Sequence, residues 1–175
     1  YKQALALDPE HARSHMGLGA TYRNMGKLVE ADAAYRAALS RDPMLAEAWI
    51  GLQTVLLSGG MKDKALQAAD LAISHVGHRA EVYLIKAQLL PEQSISILED
   101  GAKRAARDPQ IHVVLSQEYA MNGRGRDAVA SANRALAIHP ANAAARRWRG
   151  FGWELQKGWL DTAGIGRVFT LQQQL

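Results

Sequence analysis

The chain is predicted to be all-α, a stack of helix–turn–helix pairs, on three observations. Hydrophobic residues make up 48% of the 175 residues and aromatic residues only 6%, with alanine dominating the apolar set; alanine has the highest helix propensity. No stretch alternates branched and polar residues at period two over the length of a strand, and the nearest, Ile95-Ser96-Ile97, is too short. A fixed order of small and large residues also recurs, and between Ala12 and Pro43 it runs Leu18-Gly19, Tyr22, Gly26, Ala31, Tyr35, Ala38, Pro43. Small residues let two helices approach and large ones fill the gap between them. Gly26 opens a turn, and Pro43 ends the second helix.

This order resembles the tetratricopeptide repeat, a helix–turn–helix unit of about 34 residues. The resemblance covers nearly the whole chain and implies a right-handed α-α superhelix of about four to five repeats, a single solenoid. Tyr1, Ala4 and Pro9 keep the mutual spacing of Tyr35, Ala38 and Pro43, so the chain is expected to begin inside a second helix and to be a piece of a longer protein. Asp8-Pro9 would end one helix and start the next. Proline disfavours helix at the residue before it, Asp serves as N-cap, and Pro suits the first helical position. The same punctuation returns at Asp42-Pro43, Asp108-Pro109 and His139-Pro140.

The first full repeat, 10–43, has helices at about 10–24 and 28–40, with His15 where the family usually carries Trp. The second, 44–77, restores Trp49 and Leu52, turns at Gly59-Gly60 and continues with Ala65, Ala69 and Ala72, closing on Gly77; its helices lie near 44–58 and 62–75. The third, 78–108, is short and atypical. Tyr83, Ala87 and Leu90 mark its first helix, Pro91 arrives early without a Gly turn, and a shorter second helix runs from Ser94 to about Ala106. A local change of superhelix curvature is expected there. Lys103, Arg104 and Arg107 would complement the dipole at that helix end. The fourth repeat, 109–140, is regular: Leu115, Tyr119, Gly123, Ala128, Ala132, Ala135, Pro140. The fifth, 141–175, carries Trp148, Gly150 or Phe151, Trp153, Gly158 and Ala163, in a register open by one residue. Its second helix would hold Gly164 and Gly166 beside Val168, Phe169 and Leu171. Without the polar outer face of a terminal repeat, it is expected to continue or to pair with something.

Charge points to no particular ligand. Residues 1–90 carry 10 basic and 9 acidic groups and residues 91–175 carry 11 and 8, for a net charge of +4. Mixed charge of this kind is a solvated helix surface and demands neither nucleic acid nor an acidic membrane. The absence of cysteine excludes disulfides, thiolate nucleophiles and Cys-based metal sites. No run of about 18 apolar residues exists to span a membrane. The Ala-, Arg- and Gly-heavy composition suggests a bacterial source, and the N-terminus is neither an initiator Met nor a signal peptide.

Motifs of chemistry are weak. Gly17-Leu18-Gly19, Gly123-Arg124-Gly125 and Gly164-Ile165-Gly166 lack the preceding strand that a phosphate-binding glycine loop needs. His11 and His15 share a helix face, but Ala12 stands where a metalloprotease needs Glu, and His75 and His78 straddle a helix end; no metal site is expected. Ser14, Ser40, Ser58 and Ser74 lie in no nucleophile elbow. Glu30/Asp32 and Glu99/Asp100 are too close in sequence to face one another on a helix. Arg146-Arg147-Trp148-Arg149 is the one dense basic-aromatic cluster; a nucleic-acid footprint would need a wider basic stripe.

In the family, the first helices of successive repeats line a concave groove. Carried over by position, the groove residues are expected to be Arg13, Met16, Gly17, Ala20, Glu47, Ile50, Gly51, Thr54, Leu84, Gln88, Val113, Gln117, Arg147 and Trp148. Ile50, Leu84 and Val113 have a second reading, as packing between neighbouring first helices. The family's carboxylate clamp for Hsp70/Hsp90 tails needs Lys, Asn and Arg, whereas these positions read Met16, Ala20, Gly51, Glu47 or Glu81, and Ile85. The resemblance thus implies a non-enzymatic scaffold without cofactor, holding a peptide or amphipathic helix of another protein. The alternative is a docking segment of a larger enzyme, such as a glycosyltransferase. A third reading, an RNA scaffold, rests on Arg146, Arg147 and Arg149.

Overall fold

The computed structural model describes residues 11–165. The expectations for Tyr1, Ala4, Asp8-Pro9, Gly166, Val168, Phe169 and Leu171 lie outside the described residues. Nine α-helices are bounded among those described: α1 (Ala12–Asn24), α2 (Leu28–Arg41), α3 (Ala46–Ser58), α4 (Lys62–Val76), α5 (Ala80–Leu89), α6 (Ser94–Arg104), α7 (Pro109–Met121), α8 (Gly125–Ile138) and α9 (Ala143–Gln156). No strand occurs among the described residues.

One turn joins the helices of each regular pair. Gly26, Gly60, Gly123 and Gly158 have φ of 73°, 72°, 73° and 70°, a left-handed conformation open to glycine at no steric cost. Around each, two backbone bonds close the helix end. Lys27 N donates to Tyr22 O at 2.9 Å and Gly26 N to Arg23 O at 3.0 Å; Arg124 N donates to Tyr119 O at 2.8 Å and Gly123 N to Ala120 O at 3.0 Å. The same pair of bonds recurs at Gly60 and Gly158. This is the Schellman arrangement, which satisfies carbonyls the helix itself leaves open. Between α5 and α6 there is no such glycine, and Pro91–Gln93 form a 3-10 turn instead.

The proline punctuation acts in two different ways. Asp108 caps α7, accepting the Gln110 N–H, with Pro109 at the first helical position. Asp42-Pro43 and His139-Pro140 do not start their helices. The Asp42 carboxylate accepts Met44 N at 2.9 Å, and α3 begins after an uncapped Leu45. Likewise α9 is capped by Asn142, two residues beyond Pro140. Proline ends the preceding helix in both places, and a short turn follows before the next.

The helices group into two compact units, one ending at Leu89 and the other beginning at Leu90. In the first, α1 pairs with α2 and α3 with α4, while α1, α3 and α5 meet as neighbouring first helices. Its core combines alanines of the second helices (Ala31, Ala38, Ala65, Ala69 and Ala72, each fully buried) with Tyr35, Leu52, Val55, Leu56 and Tyr83. In the second unit α6 packs on α7, α7 pairs with α8, and α9 packs on both α7 and α8. There the core combines Ala128, Ala132 and Ala135 of α8 with Leu98, Ile111, Leu115 and Trp148, all buried.

Candidate functional site

The expected groove residues divide by burial. Arg13, Glu47, Thr54, Gln88 and Arg147 are exposed, and Met16, Ala20, Ile50, Leu84 and Gln117 are half-buried. Gly17, Gly51, Val113 and Trp148 are buried, so these four do not face solvent. A Cβ on Gly51 would overlap the ring of Tyr35, which fills that space. Gly17 is interior to α1, its carbonyl accepting the Thr21 hydroxyl at 2.9 Å. Val113 joins the core, which supports its packing reading.

Trp148 is buried because the fifth repeat takes another register. The close-approach glycine there is Gly152, whose missing Cβ would lie 2.8 Å from Val129 Cγ2 and 2.9 Å from Gly125 O. That sets Phe151-Gly152 in the role of Leu18-Gly19 and turns Trp148 inward, against Phe151 at 5.4 Å between ring centroids.

In the first unit, then, Met16 and Ala20 of α1, Ile50 of α3 and Leu84 of α5 are half-buried apolar residues on three neighbouring first helices. Exposed Arg13, Glu47, Thr54 and Gln88 lie on the same three helices. Arg79 fixes one acidic corner, with Nη2 at 3.0 Å from Glu81 and 3.6 Å from Glu47. The hydrogen bond from Arg79 holds the Glu81 carboxyl below its ordinary value. Burial pushes the Tyr35 phenol above its ordinary value, against an opposing effect of Arg23.

A cleft on the second helices has no counterpart in the sequence patterns. It has a volume of about 710 Å³ and is lined by Asp32, Arg36, Leu39 and Ser40 of α2, Lys64, Gln67, Ala68, Leu71 and His75 of α4, and Pro43, Trp49 and Leu52 between them. Trp49 forms part of its wall, stacked on His75 at 5.8 Å, with its indole N–H donated to Pro43 O at 2.8 Å. Asp32 accepts from Arg36 Nε at 2.9 Å. Leu71 is 52% exposed, an apolar residue on an otherwise polar helix face. That leucine, out of pattern on its helix, is the sequence signal through which the cleft could have been found.

The other motifs have structural roles. His11 caps α1, its Nδ1 accepting Ser14 N at 3.1 Å, and His75 stacks on Trp49. Among the described residues no group of three His, Cys, Asp or Glu is placed to hold a metal, and no helix is long and apolar enough to cross a membrane. Arg149 lies over the Trp153 ring at 4.8 Å, so the basic cluster is partly folded onto its own aromatics.

Residues 12–43 match the family model of the tetratricopeptide repeat. Among solved structures, the MamA protein is 19% identical over 83% of this chain and 82% of its own, with a TM-score of 0.62. YrrB, a TPR protein with an unusual peptide-binding site, is 17% identical over 89% of this chain and 83% of its own, with a TM-score of 0.58. A thermophilic TPR protein of Thermus thermophilus is 22% identical over 87% of this chain and 86% of its own, with a TM-score of 0.57. No curated protein matches the chain. At these identities the likeness concerns the fold.

Proposed function

We propose that the chain is a non-catalytic scaffold for protein–protein interaction, a reading supported by its tetratricopeptide-repeat fold and by the repeat matched at residues 12–43. The first-helix face of α1, α3 and α5 holds a peptide or amphipathic helix of a partner. The observation that carries this reading is the incomplete burial of the apolar residues Met16, Ala20, Ile50 and Leu84 on three neighbouring first helices that also carry exposed Arg13, Glu47, Thr54 and Gln88. Apolar surface of that kind is a usual site of partner binding. The peptide-binding site that gives YrrB its description supports it by analogy of fold. The clamp positions Met16, Ala20, Glu47 and Ile85 carry no cation, so the ligand is not a C-terminal carboxylate held in that manner.

The test is selection of peptides from a displayed random library on the folded chain, followed by competition with a Thr54→Lys/Gln88→Lys variant. Both positions are exposed, so the variant keeps its fold by circular dichroism. Selected peptides should lose at least about tenfold in affinity for it. Peptides that bind both proteins equally would overturn the assignment to this face.

A further inference from the structure

We infer that the cleft between α2 and α4 is a second, independent peptide site. Its occupant is a short segment of a partner protein that carries an aliphatic or aromatic side chain beside carboxylates. Shape supplies the first argument. About 710 Å³ lies within the range of pockets that enclose a ligand of a few side chains. Its floor is apolar: Leu39, Leu52 and Ala68 are buried or nearly so, and Leu71 stands at the mouth with half its surface in water.

Charge supplies the second. The one acid in the lining, Asp32, is bonded to Arg36 at 2.9 Å. Lys64, also in the lining, is exposed and has no ion pair among those of the described residues. A carboxylate on the incoming segment would complement that ammonium, steering encounter and fixing direction. The indole N–H of Trp49 is already committed to Pro43 O, so Trp49 offers an apolar surface and no donor. A second copy of this chain fits less well, because its exposed tryptophans bring cations with them. Lys157 lies 4.3 Å from the Trp159 ring and Arg149 4.8 Å from that of Trp153.

The test uses two short fluorescein-labelled peptides, one with Leu-Phe flanked by Glu on both sides and a twin with Lys for every Glu. Anisotropy reads affinity, and the indole NMR signal of Trp49, assigned with Trp49→Phe, reads location. The acidic peptide should bind at least about tenfold more tightly than its twin and shift the Trp49 signal. Leu71→Asp and Lys64→Glu, both at exposed positions, should each weaken the acidic peptide about tenfold. Lys64→Glu should in addition narrow the gap to the Lys twin.

Binding of neither peptide, or binding without a Trp49 shift, overturns the site. So does loss of binding in Thr54→Lys/Gln88→Lys with Leu71→Asp unaffected, which would place the peptide on the first-helix face. Concentration-dependent self-association abolished by Leu71→Asp would overturn the peptide assignment in favour of a second copy. Failure of the first-helix face leaves this site standing, since the two share no residue.

Discussion

The ring of Tyr35 occupies the space that a side chain on Gly51 would need. Gly19 meets the same ring nearer its Cγ end, where a Cβ would lie 2.9 Å from Cδ1. One aromatic on α2 is therefore received by glycines on α1 and α3, its own first helix and the next. Gly51→Ala must displace Tyr35 and should destabilise the chain by about 1–3 kcal/mol in urea unfolding. Gly150 is the control, because among the described residues nothing lies within 4 Å of a Cβ there. Gly150→Ala, in the interior of α9, should stabilise by about 0.5–1 kcal/mol through helix propensity alone. Equal effects at the two glycines would contradict this account of Gly51.

That contrast explains what is legible in the sequence. The turn glycines are readable because only one residue type sits comfortably at positive φ, so Gly26, Gly60, Gly123 and Gly158 mark four helix ends unaided. Gly51 is not readable, because a glycine in a helix does not say whether it spares room for a partner protein or for its own neighbour. The deciding atom, on Tyr35, lies 16 residues earlier. Trp148 escapes sequence reasoning for a related reason: Gly150 and Gly152 are both available, and only close approach to Gly125 and Val129 selects Gly152. Leu71, an exposed leucine on an otherwise polar helix face, is the one sequence mark of the cleft between α2 and α4; its size depends on how far the two helices stand apart, which Leu71 does not encode.

Gln53 occupies the place in α3 that Gly19, Ser116 and Gly152 hold in the other regular first helices. Ser116 donates its hydroxyl to Ala128 O at 2.8 Å. Gln53 is fully buried, and neither its amide oxygen nor its nitrogen has a hydrogen-bond partner. A buried amide without partners costs about 1–3 kcal/mol. Gln53→Met keeps the shape and removes the polar atoms, so urea unfolding should show a gain of about 1–2 kcal/mol. A loss of stability would mean that the amide is bonded in solution.

Acid sensitivity should be visible at Arg79. The hydrogen bond from Arg79 leads the effects that depress the Glu81 carboxyl below its ordinary 4.5, so the folded state binds that proton less well than the unfolded chain does. The resulting stability is present above pH 4.5 and fades as pH falls below it. Both side chains are partly exposed, at 38% and 40%, so the contribution stays below about 1 kcal/mol. Arg79→Gln should lower the melting temperature slightly at neutral pH and by a vanishing amount at the acid end. A difference constant with pH would point to packing rather than charge.

The alkaline limb belongs to Tyr119. Its hydroxyl donates to Glu99 Oε1 at 2.6 Å. Burial first, and then the hydrogen bond to Glu99 and the charge of that carboxylate, raise the phenol from 10.0 to about 12, against a smaller opposing effect of Arg124. The folded state therefore holds this proton more tightly than the unfolded chain. The stability so gained is complete below pH 10 and is lost as pH rises toward about 12. Tyr119→Phe removes both the hydrogen bond and the titration. The variant should melt lower than wild type at neutral pH, and the gap should close between pH 10 and 12 as the wild-type phenol ionises against Glu99. Absorbance titration at the phenolate band gives the independent reading: Tyr35 is also raised by burial, so the late-ionising component of the wild type should shrink by one tyrosine in Tyr119→Phe rather than vanish. If it does not shrink, the hydroxyl facing Glu99 is not the group that sets the alkaline limit.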